Sequence, residues 1–480
     1  MAATQDIPGL VAGLLDQHAA SLQPGGHHGR IRRYLAGEHD LPIMPEDAQR
    51  RAVYESLALR SITNLLPRVS DTFVKLLTVD GIRTRTRVEN EPVWSYWQAN
   101  KLDARQTIVH RGAIEYGASY VLVLPGDRAP SITALDPLRS MAWYEDEDDD
   151  WPVYGLRHRG RVLTAIGQEV ERWEFIDAQA VHTLLVPLDR SSLDRIKVES
   201  SMEHGLGVCP MVRFRDRLDG TPVGIIRPLI TPQDRINDTV YALNMAMFFA
   251  SFRQRHATGL EIPTDDRPTI VVDGEEVPNP SFGEPYAEFD AAIDRLWVTS
   301  SKDARFGEFN QTLVDGHLTA IHQAMTTVAV LGQLPAGMLK GDLVNVSADA
   351  LSTLYDITNR QSKVYQLLFG EAWEQVFRLA AIAQGARVPD DAEMRWRDPE
   401  ARSFAATVDA LGKMVQMLNV PYEAAWEMIP GRTEGDFQRW RAMLGQQPAQ
   451  DDDEMTILDE VLPTADRPQP VPGPDATPAS

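Results

Sequence analysis

Three apolar helical stretches lie between residues 231 and 370, and two segments of different character separate them. The first helix is predicted from Thr231 to about Arg255, the second from about Thr312 to Leu331, and the third from Ser347 to about Phe369. Apolar residues recur at helical spacing, which predicts stripes that pack against neighbouring elements. The stripe positions of the first two helices are Ile236, Val240, Leu243, Met247, Leu318, Ile321, Met325 and Val328.

The two separating segments predict different structures. Residues 257–300 are acidic and contain the candidate strands Thr269–Val272 and Leu296–Val298. Residues 332–342 form a short, glycine-rich loop with an unusual apolar content. A helical hairpin with a β module at one end and a flexible loop at the other is typical of a device that lines a passage. Periodicity alone leaves open whether the stripes form a monomer core or a seam between subunits.

The flanking regions change period twice. Residues 1–117 have mainly helical spacing, with a break at Pro67 and a helix from Ala104 to Tyr116 that ends at Gly117. Residues 118–187 contain short apolar runs between turn signals, which predict a mostly antiparallel sheet. Residues 371–446 are again helical. The chain is therefore predicted to be α+β and mainly helical.

Negative charge is concentrated in three segments. The net charge is −22, of which residues 257–300 carry −8, residues 145–150 carry −6 and residues 451–480 carry −7. A protein that grips nucleic acid is expected to present a basic patch, and none is visible here. Residues 447–480 are acidic and rich in proline, so this tail is predicted to be disordered.

The sequence offers few candidates for catalysis or metal binding, and we expect no catalytic residue, metal or cofactor. It contains no phosphate-binding loop, no nucleophile elbow and no paired histidines at zinc-binding spacing. The pair His27–His28 and the single cysteine, Cys209, are interpreted as structural. The acidic run 145–150 fits a divalent cation or, preferably, a solvated loop. We find neither a membrane-spanning segment nor a signal peptide.

The order of these elements resembles that of portal proteins of tailed double-stranded DNA phages, of the type common in phages of actinobacteria. The resemblance covers about residues 116–400, with a helical context from about 40 to 445. The segments that carry it are 116–123 (YGASYVLV), 233–237 (QDRIN), 252–255 (FRQR), 306–309 (FGEF), 345–351 (NVSADAL), 369–374 (FGEAWE) and 396–400 (WRDPE). Each segment is weak alone, but their order and spacing together are specific.

The resemblance implies a division of the chain into the parts of a portal subunit. These are a wing (residues 1–225), two stem helices (226–256 and 306–331), a clip (257–305), a tunnel loop (332–346), a wing spine helix (347–370), a crown (371–446) and the acidic tail (447–480). It also implies that about twelve copies form a closed ring around a pore.

The same resemblance implies partners and a place of action. The ring is expected at one vertex of the virion, after assembly in the host bacterial cytoplasm. Its expected partners are the major capsid protein or a scaffold, the terminase large subunit, the head–tail connector or adaptor, and double-stranded DNA passing without sequence specificity; no membrane is involved. The expected tunnel residues are Leu334, Met338, Leu339, Lys340, Asp342 and Asn345, and the expected docking residues of the clip are Asp265, Asp266, Glu275 and Glu276.

Two other classes of function fit the composition. One is a cytosolic α+β enzyme with an unrecognised active site, and the other is a scaffold that binds proteins but no DNA. Particle shape distinguishes the three, because only a portal forms a ring with a central hole.

Overall fold

The computed structural model describes most of the chain up to residue 444. The described residues are 6–83, 90–164, 166–189, 193, 195–251, 255–258, 265–272, 275–283, 305–308, 314–341, 348–386, 392–397, 404–426, 428–429 and 434–444. Contacts between residues divide the chain into one compact unit of residues 1–401 and a second unit of residues 402–480. The predicted disordered tail, 447–480, lies outside the described residues.

The first unit begins with helices, as predicted. They are α1 (Ile7–Leu22), α2 (His27–Leu35), α3 (Ala48–Ser61) and α4 (Leu66–Leu76), followed by the strand β1 (Val79–Arg83) and by α5 (Asn90–Ala99) and α6 (Leu102–Tyr116). The break predicted at Pro67 is confirmed, because α3 ends at Ser61 and Pro67 lies in the first turn of α4. Helix α6 ends at Gly117, as predicted. Its φ of 93° favours glycine, and a Cβ there would lie 2.6 Å from the backbone nitrogen of Val223.

Two antiparallel sheets follow, whereas the change of period predicted one mostly antiparallel sheet. Their strands are β2 (Ala118–Leu124), β3 (Ser131–Leu135), β4 (Ser140–Trp143), β5 (Tyr154–Leu163), β6 (Glu169–Ile176), β7 (Ala180–Pro187), β8 (Lys197–Glu203) and β9 (Met211–Arg215). One sheet has the order β3-β2-β9, and the other has the order β4-β5-β6-β7-β8. Strand β8 was not predicted, because every side chain of this edge strand is exposed and the segment has no apolar alternation.

Helix α1 covers one face of the five-stranded sheet. Its buried residues Val11, Leu14 and Leu15 pack in one cluster with Trp173 and Phe175 of β6 and with their apolar neighbours. The spacing of the three helix residues places them on one side of α1, which explains why this helix docks on the sheet. A separate cluster that includes Leu122, Ile176 and Met211 joins the two sheets.

The rest of the first unit contains the three central helices. The elements are α7 (Ile230–Ser251), β10 (Arg255–Thr258), β11 (Thr269–Val272), β12 (Glu275–Pro278), β13 (Arg305–Glu308), α8 (Asp315–Leu331), α9 (Ala336–Lys340), α10 (Ala348–Ile382) and β14 (Glu393–Trp396). The prediction that the third helix ends near Phe369 is wrong. Helix α10 continues through Gly370, because Ala372, Trp373, Val376 and Phe377 extend its buried face into the core.

The centre of this core is aromatic. Trp97, Phe214, Phe369 and Trp373 are all fully buried, and the rings of Trp97 and Trp373 meet edge to face with centroids 5.0 Å apart. The base of α7 and the end of α8 belong to the same cluster through Ile236 and other residues. The strands β1 and β14 pair antiparallel at its edge.

The second unit consists of helices in its described part. These are α11 (Phe404–Leu418), α12 (Tyr422–Trp426) and α13 (Glu434–Leu444). Phe437 is buried, and its ring packs edge to face on Trp440, which also contacts Trp426. Across both units, no helix within the described ranges has the length and apolar character needed to span a bilayer.

Candidate functional site

The helices α7 and α8 form an antiparallel hairpin that leaves the core and returns to it. We call these two helices the stem hairpin. Its near end, Ile230–Asn237 of α7 and Val328–Ala329 of α8, lies in or beside the core. At its far end, β10 pairs antiparallel with β13, from Arg255 opposite Glu308 to Thr258 opposite Arg305. The second predicted helix begins at Asp315 rather than at Thr312. The prediction that the first helix reaches Arg255 is wrong, because α7 runs from Ile230 to Ser251 and Arg255 begins β10.

The predicted packing stripe of the stem hairpin is buried near the core and exposed away from it. Ile236, Ile321 and Val328 are buried. Val240 and Met325 are half-buried against the main core, and Leu243 is half-buried. Met247 and Leu318, near the far end, are 54% and 45% exposed. The stripe therefore packs into the subunit's own core only in the half of the hairpin that lies near the core.

Buried polar side chains fasten the base of α7 to the N-terminal helices. The Gln233 amide donates to the carbonyl of Thr63 (2.7 Å) and to Asn237 Oδ1 (3.0 Å), and its oxygen accepts from the backbone N–H of Leu65 (3.0 Å). Asn237 Oδ1 also accepts from the N–H of Thr63 (3.1 Å), and its Nδ2 donates to His39 Nδ1 (2.7 Å). Because Gln233 is fully buried, each of these bonds replaces one to water.

Beside this anchor, the hydroxyl of Tyr34 lies between two carboxyl groups. The Tyr34 hydroxyl is 2.8 Å from Asp234 Oδ1 and 3.0 Å from Asp40 Oδ2, and it has only one hydrogen to donate. Burial raises the pKa of Asp234. Burial alone would also raise the pKa of Asp40, but hydrogen bonds from Arg33 and Tyr34 lower it. Asp234 is therefore the carboxyl that takes up a proton first.

The strand module between α7 and α8 includes β11 and β12. It confirms one predicted strand and corrects the role expected for Asp265. The predicted strand Thr269–Val272 is β11, which pairs with β12. Asp265 does not present a free carboxylate: it is buried, and Arg267 binds both of its oxygens at 2.8 Å and lowers its pKa. Asp266, Glu275 and Glu276 are exposed. The predicted strand Leu296–Val298 lies outside the described residues.

The predicted tunnel loop is more ordered than a flexible connector. Leu334 is buried in the main core, and its N–H bonds to the carbonyl of Ala329 (2.8 Å). The carbonyl of Gln333 accepts a hydrogen bond from Thr358 of α10 (2.8 Å). Within the predicted loop, α9 holds Met338, Leu339 and Lys340, which are half-buried. Five residues of the predicted loop therefore form a short helix. Asp342 and Asn345 lie outside the described residues.

The groups considered for metal or nucleophilic chemistry are held in structural roles. His28 hydrogen-bonds Ser21, and burial lowers its pKa to about 4. His27 donates through Nε2 to the carbonyl of Tyr116 (2.9 Å). Burial raises the pKa of the Cys209 thiol to about 12, which makes it a poor nucleophile. Within the described part of the chain, no three His, Cys, Asp or Glu side chains converge as a metal site would require.

The acidic run 145–150 is an exposed turn. The backbone N–H of Asp146 donates to a carboxylate oxygen of Asp149 (2.9 Å), and the backbone N–H of Asp148 donates to a carboxylate oxygen of Asp146 (3.1 Å). Arg213 binds Glu147 through its carboxylate and its carbonyl, both at 2.7 Å, and stacks over Tyr144 with 3.9 Å to the ring centroid. The interpretation as a solvated loop agrees with this geometry.

Comparison with known proteins shows the family to which this chain belongs. The family model described as phage portal protein, SPP1 Gp6-like, matches residues 29–449, which is most of the chain. This chain belongs to that portal family. It therefore functions as a phage portal protein, a structural component of the phage particle.

Two phage portal proteins are similar to this chain in sequence. The portal protein of Mycobacterium phage L5 is 26% identical over 402 residues, covering 77% of this chain and 76% of that protein. The portal protein of Mycobacterium phage D29 is 26% identical over 371 residues, covering 72% of this chain and 70% of that protein. Among solved structures, a chain in the virion of a native gene transfer agent particle is 11% identical, with a TM-score of 0.41, and covers 83% of this chain and 98% of that chain.

Sequence reasoning missed the residues that hold the stem hairpin in place. Gln233 and Asn237 stand within the resemblance segment 233–237, but their polar character gave no periodic signal. Their spacing of four places both side chains on one face of α7, towards the carbonyl and N–H groups of residues 63–65. An amide pair at this spacing beside an apolar stripe is the signal that could have revealed them.

Proposed function

We propose that about twelve copies of this chain form a closed ring and that the stem hairpins line its central channel. The observation that carries the proposal is the stem hairpin itself, whose apolar stripe is buried near the core and exposed at Met247 and Leu318. Exposed apolar residues on a rigid helix are suited to contacts between subunits. The match to the portal family over most of the chain supports the same arrangement.

Double-stranded DNA passes through this channel without sequence-specific contacts. A basic lining would bind phosphates through counterion release and slow the DNA. An acidic or neutral lining repels phosphates and keeps the duplex centred and mobile. The chain's net charge of −22 and the eight net negative charges of residues 257–300 fit this requirement.

The clip docks the terminase large subunit during packaging and the head–tail connector or adaptor afterwards. Its exposed carboxylates Asp266, Glu275 and Glu276 are the candidate docking groups, whereas Asp265 stabilises the turn through Arg267. The ring assembles in the host bacterial cytoplasm with the major capsid protein or a scaffold and remains in the virion at one capsid vertex. No enzymatic step is assigned to the chain.

A test in the phage itself addresses packaging directly. In a phage whose copy of this gene carries an early stop codon, we expect shells without DNA, and expression of the full chain in the host restores filled particles. DNA-filled particles of normal yield that lack the chain would contradict the proposal. Nuclease-protected DNA per particle is the quantity to measure.

A further inference from the structure

The hairpin of β4 and β5 carries opposite charges at its two ends. Beside Ser140, where β4 begins, a cavity of about 340 Å³ is lined by Arg139, Arg157 and Arg159 and by one carboxylate, that of Asp136. The turn that joins the two strands contains the acidic run 145–150, with all six of its residues exposed. We call these the arginine cavity and the acidic turn.

The arginine cavity has more positive charge than its own neighbours neutralise. Arg157 and Arg159 share one carboxylate, that of Glu174, at 3.3 and 3.4 Å. Arg139 is exposed, and no described residue forms a hydrogen bond or an ion pair with its guanidinium. Burial is the main cause that lowers the pKa of Arg157, and the crowded positive charges of Arg159 and Arg139 add to it, although Glu174 opposes both. A carboxylate entering the cavity would relieve this crowding.

The acidic turn has more negative charge than the neighbouring cations neutralise. Arg213 pairs with Glu147. Among the described residues, no cation lies within ion-pair distance of Glu145, Asp148 or Asp150. The internal bonds of the turn hold the backbone in one shape, so these carboxylates are presented on a rigid support.

The two charged ends cannot neutralise each other within one chain. The ladder between them runs from Ser140 opposite Arg157 to Trp143 opposite Tyr154. Three residue steps of a strand span about 10 Å; Arg157 lies at one end of this ladder, and the acidic turn lies beyond the other end. Contact between the arginine cavity and an acidic turn therefore requires a second molecule.

We propose that the arginine cavity of one subunit receives the acidic turn of the next subunit in the ring. A ring is built from heterologous contacts, in which two different surfaces of the same chain meet, and a rigid hairpin with a cation at one end and an anion at the other provides such a pair. The inference rests on the proposed ring. It also answers a physical need: copies that each carry a charge of −22 repel one another, so local complementary charges are required to set their register.

Charge reversal tests the contact. In the full-length chain, Arg139→Asp is expected to lower the fraction of subunits in rings about tenfold at a fixed salt and protein concentration, because like charges then face each other at every interface. Asp148→Arg is expected to act in the same direction, and the double variant is expected to recover most of the loss. The matched control is Arg128→Asp, which makes the same charge change on the exposed β2–β3 connection. Circular dichroism of each variant verifies that the fold is retained.

Cysteine crosslinking gives a second, direct readout. Cys209 is buried, so oxidation of Arg139→Cys/Asp148→Cys acts on the introduced thiols. A disulfide requires Cα atoms within about 7 Å, a condition that the hairpin forbids within one chain and the proposed contact permits between chains. We expect a ladder of covalent oligomers on a denaturing gel, and none from Arg128→Cys/Asp148→Cys.

The outcomes separate this contact from the ring itself. Wild-type rings that tolerate Arg139→Asp as well as Arg128→Asp, and that yield no disulfide ladder, would overturn the contact and leave the ring standing. A wild-type chain that remains monomeric would overturn both. If a full-length chain with Asp451, Asp452, Asp453 and Glu454 changed to amides loses the sensitivity to Arg139→Asp, the tail occupies the cavity and the assignment of the acidic turn is wrong.

Discussion

Replacing Gln233 with leucine tests whether the buried amide anchors the stem hairpin. Leucine is similar in size but has no polar atom, so the three hydrogen bonds of the Gln233 amide are lost together. The backbone N–H of Leu65 and the carbonyl of Thr63, two half-buried residues, then lose this partner. Asn237 keeps its bonds to Thr63 and His39.

The size of the effect follows from these groups. A buried polar group without a partner costs about 1–3 kcal/mol, and two backbone groups are affected. The added apolar surface of leucine offsets part of this loss, so the free energy of unfolding is expected to fall by about 3 kcal/mol. The residues concerned join α7 to the segment between α3 and α4, so the loss acts on the attachment of the stem hairpin.

Urea unfolding of the full chain, followed by tryptophan fluorescence, measures this change. Trp97 and Trp373 are buried in the same core as the base of α7, so their emission reports on its unfolding. Thr239→Ala on the same helix is the control, because its exposed hydroxyl bonds only to the carbonyl of Arg235, and we expect a change within about 0.5 kcal/mol. An equally small change for Gln233→Leu would refute the anchoring role.

Three further predictions concern a buried carboxyl, the tunnel segment and the clip. Burial raises the pKa of Glu374 to about 6, so its charged form is disfavoured in the fold; Glu374→Gln is expected to raise the free energy of unfolding by at most about 2 kcal/mol at pH 8, with no gain below pH 4.5, as measured by unfolding at several pH values. Lys340→Glu is expected to assemble normally but to lower the DNA retained per particle, measured by nuclease protection, because each copy places one positive charge in this segment. Reversing the charges of Asp266, Glu275 and Glu276 is expected to weaken binding of the purified terminase large subunit in a salt-dependent way.

Each of these predictions has an outcome that contradicts it. The pH argument fails if Glu374→Gln is equally stabilising at pH 4 and pH 8, since the folded carboxyl is neutral at the lower pH. Normal DNA retention by Lys340→Glu leaves that residue without a role in the passage. Terminase binding that is unchanged by the three reversals would remove the clip carboxylates from the docking surface. Asp265→Asn is the comparison there, because Asp265 is already paired with Arg267.

Periodic features of the fold were predictable from the sequence. The apolar stripes of α7 and α8, the strand run of β2 and the stop at Gly117 all follow from local rules that the structure obeys. The end of α10 does not follow from these local rules. A glycine usually weakens a helix, but Gly370 lies between residues that bury a continuous aromatic face, so the helix continues through it. Tertiary packing decided that case.

The site was predictable only where it was apolar. Leu334 reads as an apolar loop residue, and its burial in the core depends on the base of the stem hairpin and on other elements distant in sequence. From the sequence, Asp265 resembles the other exposed acids of residues 257–300, because nothing in its neighbourhood shows that Arg267 turns back to bind it through Nε and Nη2. Polar partners separated by a turn, or by 170 residues as in Gln233 and Thr63, leave no periodic trace.

The central claim is a closed ring, and particle shape tests it most directly. Negative-stain images of the purified full-length chain, combined with native mass measurement, give the shape and the number of subunits together. We expect ring-shaped particles with a central hole and the mass of about twelve copies. A compact monomer of 53.6 kDa at all protein and salt concentrations tested, or an open rod of variable length, would contradict the account.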